Sequence, residues 1–257
     1  GGMGGPGAGG SIVTGSYVNA EHLTHIRCSV SYCGTTLDLP ARALACPRCG
    51  KLLEVAIEAP RSAPLDLKRT WLERRMSSDA RDVSGVWRFR EFLPDSYSPE
   101  GVVTLGEGNV PLVPGQKTAV WAGLKNLRFK HLGWNPTGSF KDLGMTAGMT
   151  EAKFIGATAV ACASTGNTAA SLAAYAARAG VTGRVYLPAG QASANKLAQA
   201  LDFGAELVEI EGSFDDALNV LLEGADPSLY FLNSINPFRI ERQKTAMFEL
   251  LEQLNWR

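Results

Sequence analysis

The chain has no surplus of charge and no long hydrophobic run. Lysine plus arginine and aspartate plus glutamate each number 25 in 257 residues, so the formal net charge is zero. This balance gives no bulk electrostatic attraction to nucleic acid or to an anionic membrane. Apolar stretches such as residues 157–163 are much shorter than the roughly 18 to 20 residues that cross a bilayer. We therefore expect neither a nucleic-acid partner nor a membrane span.

A secretory signal is also missing from the start of the sequence. Residues 1–15 are rich in glycine and lack a basic segment followed by an apolar core. They are predicted to be a flexible lead-in, and the predicted location of the protein is the cytoplasm. The remaining composition, with 45% hydrophobic and 19% charged residues, is typical of a globular protein. Small-molecule chemistry is the function class that this composition favours.

Four of the five cysteines lie close together in the sequence, at Cys28, Cys33, Cys46 and Cys49. Two cysteine pairs on tight turns can supply four thiolates to one tetrahedral Zn²⁺. Four protein ligands leave no open coordination position, so the predicted metal is structural. The alternative is a set of unrelated free thiols. We expect residues 16–58 to form a small zinc-ribbon-like unit with strands at 37–39 and 52–57.

The rest of the chain predicts an α/β fold. A short amphipathic helix is expected at residues 65–76, with Leu65, Leu72 and Met76 near one face. From about residue 119, apolar segments alternate with alanine-rich ones, which is typical of parallel βαβ units. The predicted strands are 126–132, 157–163, 183–187, 205–210 and 229–233, and the predicted helices are 140–155, 166–180, 193–203, 213–224 and 237–254. Ligands bind at the carboxyl ends of such strands.

The motif NPTGSFKD, residues 135–142, lies between a predicted strand and a predicted helix. Lys141 falls in the first turn of that helix, where the helix dipole favours anions over cations. The dipole and partial burial would both lower the pKa of the amine and prepare it to attack a carbonyl. The alternative is a solvated lysine whose aliphatic stem packs on the sheet.

Two further strand-end segments carry polar side chains. ASTGNTAAS, residues 163–171, places Ser164, Thr165, Asn167 and Thr168 beside free backbone N–H groups, which predicts a receptor for a carboxylate or phosphate. Ordinary helix capping is the alternative. NSINPFRIERQKT, residues 233–245, contains Ser234 at a strand end and Arg239 in the first turn of a helix. A guanidinium there can meet a phosphate bidentately, although a surface ion pair is the alternative.

Together these segments resemble pyridoxal-phosphate enzymes of fold type II, and most closely the threonine synthases. CPRCG at 46–50, GVWRFREFLP at 85–94 and TLGEGNVPL at 104–112 occur with the three motifs in the order of that family. The resemblance implies a tryptophan synthase beta-like fold, incomplete here, preceded by the zinc-ribbon-like unit. Its implied domains are residues 59–156 for the first part of the cofactor-binding large domain, 157–240 for a small α/β domain, and 241–257 for a helix returning to the large domain.

The resemblance also implies roles for single residues. Lys141 would carry pyridoxal 5′-phosphate, and Asn167 would bind the 3-hydroxyl group of this cofactor. Three residues would close on the substrate amino acid: Ser164, Thr165 and Thr168. Ser234 and Arg239 would meet the phosphate of O-phospho-L-homoserine. The implied reaction is that of a carbon–oxygen lyase acting on phosphates, which converts O-phospho-L-homoserine and water to L-threonine and phosphate.

Relatives in this family continue beyond the segment matching Trp256 with a glycine-rich loop for the cofactor phosphate. They continue further with a Ser, Thr or Cys that faces the pyridine nitrogen. Neither feature occurs in these 257 residues, so we expect a truncated chain or one half of a split protein. The full-length protein is expected to form a homodimer.

Three other functions compete with this interpretation. Threonine dehydratase and the cysteate or cysteine synthases share the lysine and asparagine loops. The cysteine ribbon, TLGEGN and NSINPFR favour threonine synthase over both. From a different class, the chain could be a non-catalytic zinc-ribbon interaction protein whose α/β part is a relic.

Overall fold

A computed structural model describes residues 25–39, 42–57, 60, 62–92, 97–190, 194–223 and 228–257. The predicted lead-in at residues 1–15 lies outside the described residues. None of the helices in the described part of the chain combines the length and apolar character that a bilayer span requires.

The cysteine-bearing unit is built on a small antiparallel sheet. Its strands are β1 (His25–Cys28), β2 (Thr36–Leu37) and β3 (Leu53–Ala56), in the order β2-β1-β3. The two predicted strands are therefore present but shorter than expected, and β1 was not predicted. The core of this unit contains Ile26, Leu53 and Val55 together with Phe238, a residue from far along the chain.

A helical segment follows, with α1 (Pro64–Arg74) and α2 (Ala80–Val83). The helix predicted at 65–76 is present, but the prediction of its apolar face was wrong. Leu65, Leu72 and Met76 are exposed, whereas Leu67 and Trp71 are buried. The indole of Trp71 packs against the rings of Phe89, Phe92 and Trp256. An aromatic ring of this size buries more apolar area than a leucine and decides which face turns inward.

The centre of the α/β part is a parallel sheet of four strands. These strands are β6 (Ala159–Ala163), β7 (Thr182–Pro188), β8 (Glu206–Ile210) and β9 (Leu229–Phe231), in the order β8-β7-β6-β9. Three helices alternate with them: α5 (Asn167–Ala179), α6 (Ala194–Asp202) and α7 (Phe214–Glu223). Every residue of β6 is buried, as expected for an inner parallel strand covered on both faces. The predicted α/β class with a parallel sheet is confirmed.

The predicted strand at 126–132 does not belong to this parallel sheet. It is present as β5 (Arg128–Lys130), which pairs antiparallel with β4 (Leu112–Pro114), and α3 (Gln116–Trp121) lies between the two strands. Two of the three β5 residues are exposed. A strand with so little apolar surface cannot occupy a parallel sheet that is covered by helices on both faces.

Three helices complete the structure around the candidate site. They are α4 (Lys141–Phe154), α8 (Pro237–Gln243) and α9 (Thr245–Gln253). One continuous helix was predicted at 237–254, and this was wrong, because the helix breaks at Lys244. The Thr245 hydroxyl donates to the Arg242 carbonyl at 2.7 Å, a local hydrogen bond of the kind that bends helices.

Candidate active site

The loop that carries Lys141 is held by one buried carboxylate. Asp142 is fully buried and accepts hydrogen bonds from the Thr137 N–H at 2.8 Å and the Thr137 hydroxyl at 2.6 Å. It also accepts one from the Ser171 hydroxyl on α5 at 2.6 Å. Gly138, at φ +79°, provides the left-handed turn that brings Thr137 back towards the start of α4. These hydrogen bonds therefore hold the lysine loop in one conformation and attach it to α5.

Lys141 is the first residue of α4 and is only partly exposed. Its Nζ lies 4.1 Å from the centroid of the Phe140 ring. Burial of the amine, and after it the positive charge of Arg239, lower the pKa of Lys141 from its ordinary value. A lowered pKa increases the fraction of neutral amine, which is the form that attacks a carbonyl. The sequence did not predict that Arg239 lowers the pKa of Lys141.

The loop from β6 to α5 is placed by its backbone. The Ser164 N–H donates to the Tyr186 carbonyl of β7 at 3.2 Å, and the Ser164 hydroxyl accepts from the Gly166 N–H at 3.2 Å. Gly166 occupies the N-cap position of α5, and no side chain caps this helix. Ordinary helix capping, the alternative considered for the polar residues of this loop, therefore does not account for Thr165, Asn167 or Thr168.

Four predicted site residues meet at one cavity. It has a volume of about 290 Å³ and lies at the carboxyl ends of β6 and β9. The four residues are Ser164, Thr165, Thr168 and Ser234. The remaining lining residues are Ala163, Gly166, Phe214, Leu218 and Asn233. Asn167 is exposed at the first position of α5 and does not line this cavity, and neither do Lys141 and Arg239.

The loop from β9 to α8 is fixed by two asparagines that sequence reasoning did not assign to the site. Asn236 is the N-cap of α8, and its side-chain oxygen accepts from the Arg239 N–H at 3.2 Å. Its amide nitrogen donates to the Phe231 carbonyl at 2.9 Å. The side-chain oxygen of Asn233 accepts from the Ala163 N–H at 3.0 Å. The Asn-Pro pair at the start of α8 is the signal that could have identified Asn236.

Arg239 is buried, with 1% of its surface exposed. Its guanidinium donates to the Leu232 carbonyl, while its Nε has no hydrogen-bond partner among the described residues. Burial lowers the pKa of Arg239 to about 10. The surface ion pair considered from the sequence is therefore wrong. A buried donor without a partner, on a cation whose charge reaches Lys141, fits an anionic group such as a phosphate.

A second buried carboxylate supports the site from the TLGEGN segment. Glu107 is fully buried and accepts from the hydroxyls of Ser84 at 2.5 Å, Thr104 at 3.0 Å and Tyr175 at 2.6 Å. Tyr175 lies on α5, so this network attaches residues 104–109 to the helix that follows the ASTGN loop. Sequence reasoning missed this contact because its partners are 68 residues apart.

The four predicted metal ligands lie together. Their sulfur atoms are all within 4.8 Å of one another, with 3.5 Å between Cys28 and Cys49 and 3.8 Å between Cys33 and Cys46. Four sulfurs at about 2.3 Å from a central zinc ion are about 3.8 Å apart in a tetrahedron. The Val30 N–H donates to the Cys28 sulfur at 3.5 Å, a contact typical of metal-bound thiolates. The arrangement fits one zinc ion.

Comparison with known proteins identifies the family. Residues 103–257, more than half of the chain, match the family described as pyridoxal-phosphate dependent enzyme. The chain belongs to this family. Membership confirms pyridoxal 5′-phosphate as the predicted cofactor, and the amine of Lys141 and the buried cation of Arg239 fit its aldehyde and anionic groups.

Individual relatives extend this result. The chain is 45% identical to a threonine synthase of Methanocaldococcus jannaschii over 225 residues, covering 87% of this chain and 53% of that protein. It is 41% identical to a threonine synthase of Methanosarcina acetivorans over 234 residues, covering 91% of this chain and 54% of that protein. The predicted resemblance to threonine synthases is confirmed. The chain spans about half the length of these curated relatives.

Solved structures show the same fold at lower identity. The processed form of threonine deaminase isoform 2 from Solanum lycopersicum superposes with a TM-score of 0.51 at 20% identity, covering 76% of this chain and 48% of that one. At this identity the likeness supports the fold and carries no argument about the reaction.

Proposed function

We propose that the protein containing this chain converts O-phospho-L-homoserine and water to L-threonine and phosphate. The threonine synthase relatives at 45% and 41% identity support this reaction. The observation that carries the proposal is the buried Arg239, whose Nε has no partner among the described residues and whose charge acts on Lys141. A reaction of a phosphorylated amino acid in this family requires an amine that attacks the cofactor aldehyde and a cation that binds the phosphate.

Lys141 is the proposed cofactor-binding and catalytic residue. Pyridoxal 5′-phosphate, when bound, supplies an electron sink for carbanion chemistry. The amine of Lys141 then serves as the base that moves protons at Cα and Cβ of the substrate. Its lowered pKa supports this role, because a base must be unprotonated near the working pH. The bonds that Asp142 accepts keep the loop, and with it the amine, in one position.

The four cavity residues, together with Arg239 and Asn167 outside the cavity, are proposed to bind substrate and cofactor. Ser164 and Thr165 would hold the amino-acid part of the substrate, and Thr168 and Ser234, which also line the cavity, would reach its phosphate. Arg239 would stabilise the negative charge that builds on the phosphate as its bond to Cγ breaks. Asn167 would meet the 3-hydroxyl of the cofactor from its exposed position at the start of α5.

Four cysteines, Cys28, Cys33, Cys46 and Cys49, are proposed to hold a structural zinc ion, because four thiolates leave no position for a substrate. A homodimer of the full-length protein, a cytoplasmic location and the lack of a nucleic-acid partner remain predictions from sequence. The domain division at residues 59–156, 157–240 and 241–257 also remains a prediction.

Incubation of the whole protein with pyridoxal 5′-phosphate and O-phospho-L-homoserine tests the proposed reaction. We expect inorganic phosphate and threonine to appear in equal amounts, and neither to appear with the Lys141→Ala variant. Formation of α-ketobutyrate from threonine, without phosphate release from O-phospho-L-homoserine, would instead identify a threonine dehydratase.

A further inference from the structure

We propose that Phe238 couples the cysteine-bearing unit to Arg239, so that a metal ion on the four cysteines strengthens phosphate binding at Arg239. The inference rests on the proposed function in one respect, namely that Arg239 binds phosphate. It adds a connection between two sites that the proposed function treats as separate.

Two neighbouring residues of α8 belong to different parts of the molecule. Phe238 is 2% exposed and completes the core of the cysteine-bearing unit with Ile26 and Leu53. Arg239 is directed to α4, where a Cβ atom added to Gly148 would lie 3.0 Å from the Arg239 Cγ. One peptide bond therefore connects the core around the thiols to the cation of the candidate active site.

The helix α8 has little freedom to adjust between these contacts. It is seven residues long, and it packs against β3 on one side and α4 on the other. A Cβ atom on Gly144 would lie 2.7 Å from the Arg239 carbonyl oxygen, so the backbones of α4 and α8 touch. Densely packed elements shift between discrete positions rather than deforming gradually. A displacement of Phe238 should therefore move Arg239.

The metal is expected to control the position of Phe238. Strands of four, two and four residues give the cysteine-bearing unit a small core, and units of this size usually need a metal or disulfides to stay folded. All five cysteines are free thiols, which leaves the metal. Without it, the unit would loosen around Phe238, and α8 would lose its packing against β3. The metal-bound state thus favours the arrangement of Arg239 seen here.

Binding of inorganic phosphate to zinc-loaded and metal-free protein measures this coupling. Isothermal titration of the whole protein should show phosphate binding about tenfold weaker after zinc removal, within the usual range for coupled sites. Coupling is reciprocal, so saturating phosphate should raise zinc affinity by the same factor. Equal phosphate affinity with and without zinc would overturn the inference.

Two variants separate this inference from the proposed function. Arg239→Gln should weaken phosphate binding in the zinc-loaded protein and abolish the effect of zinc on it. If Arg239→Gln does weaken binding but zinc removal does not, the inference fails and the role of Arg239 stands. If Arg239→Gln leaves phosphate binding unchanged, both fail.

Phe238→Leu should retain stoichiometric zinc while weakening phosphate binding several-fold. Phe89→Leu is the matched control, because Phe89 is equally buried but packs in a different cluster with Trp71; phosphate affinity should not change. Should Phe238→Leu fail to fold, hydrogen exchange of the α8 amides in the unmodified protein provides the second measurement. Faster exchange in α8 after zinc removal supports the coupling, and unchanged exchange overturns it.

Discussion

The two strand-end loops around the candidate site differ in what their polar groups do. In the lysine loop, Asp142 accepts three hydrogen bonds within the protein. In the ASTGN loop, the side chains of Thr165 and Thr168 border a cavity and have no hydrogen-bond partner among the described residues. Polar groups that hydrogen-bond to each other make a structure rigid, whereas polar groups at a cavity without such a bond are available to bind a ligand. The first loop holds the amine that we propose as the nucleophile, and the second is suited to receive an anion.

Removal of the nucleophile should have the largest effect. We expect Lys141→Ala to lower the rate of phosphate release from O-phospho-L-homoserine at least about a thousandfold, because both the cofactor attachment and the base are lost. Lys153→Ala is the control, since Lys153 is exposed in the last turn of the same helix, and its rate should match that of the unmodified protein. Comparable rates for the two variants would contradict the role of the lysine loop.

Replacement of the buried carboxylate tests the rigidity of the lysine loop. Asp142→Asn should lower the free energy of unfolding by about 3 kcal/mol, because an amide cannot accept all three hydrogen bonds and presents donors to donors. Chemical denaturation would measure the change. Asp215→Asn, at an exposed position in the first turn of α7, should cost no more than about 0.5 kcal/mol. If both variants lost the same free energy of unfolding, the hydrogen bonds of Asp142 would not be what makes the lysine loop rigid.

A change in the second loop should affect binding and leave stability unaltered. Thr168→Val should weaken the binding of inorganic phosphate about tenfold, the loss expected for one hydrogen bond to a charged group. Its free energy of unfolding should stay within about 0.5 kcal/mol of the unmodified protein, because the Thr168 hydroxyl has no hydrogen-bond partner in the described part of the chain. Thr118→Val, at an exposed position on α3, should change neither quantity. A large loss of stability in Thr168→Val would show that this loop is also structural.

The smallest expected effect is a change in titration. Burial and the charge of Arg239 both disfavour the protonated amine, so Lys141 should react with an amine reagent at lower pH than a lysine of ordinary pKa. Arg239→Gln removes the second cause and should shift the titration of Lys141 part of the way back to higher pH. The pH dependence of labelling, read peptide by peptide, would show both shifts. A midpoint unchanged by Arg239→Gln would mean that the two residues do not interact.

Local patterns predicted the features that depend on neighbouring residues in the chain. The alternation of strands and helices after residue 157, the cysteine pairs and the position of Lys141 at a helix start all depend on short spacings. The features that were missed depend on long-range packing. Examples are the Asp142–Ser171 and Glu107–Tyr175 contacts, which join residues 29 and 68 positions apart.

Two wrong predictions have the same origin. The apolar face of α1 was assigned to leucines spaced along it, but the ring of Trp71 determines which face is buried. The strand predicted at 126–132 was placed in the parallel sheet because apolar and alanine-rich segments alternate from about residue 119, but β5 is largely exposed and pairs antiparallel with β4. In both cases the partner surface, which the local pattern does not contain, determined the outcome.

Reduction by borohydride of the protein loaded with pyridoxal 5′-phosphate, followed by mass mapping of the modified peptide, tests the central claim most directly. The structure predicts a single stable adduct on Lys141, because its amine is partly buried and has a lowered pKa at the start of α4. An adduct on a different lysine, or the absence of any reducible adduct in the whole protein, would contradict the assignment of this site.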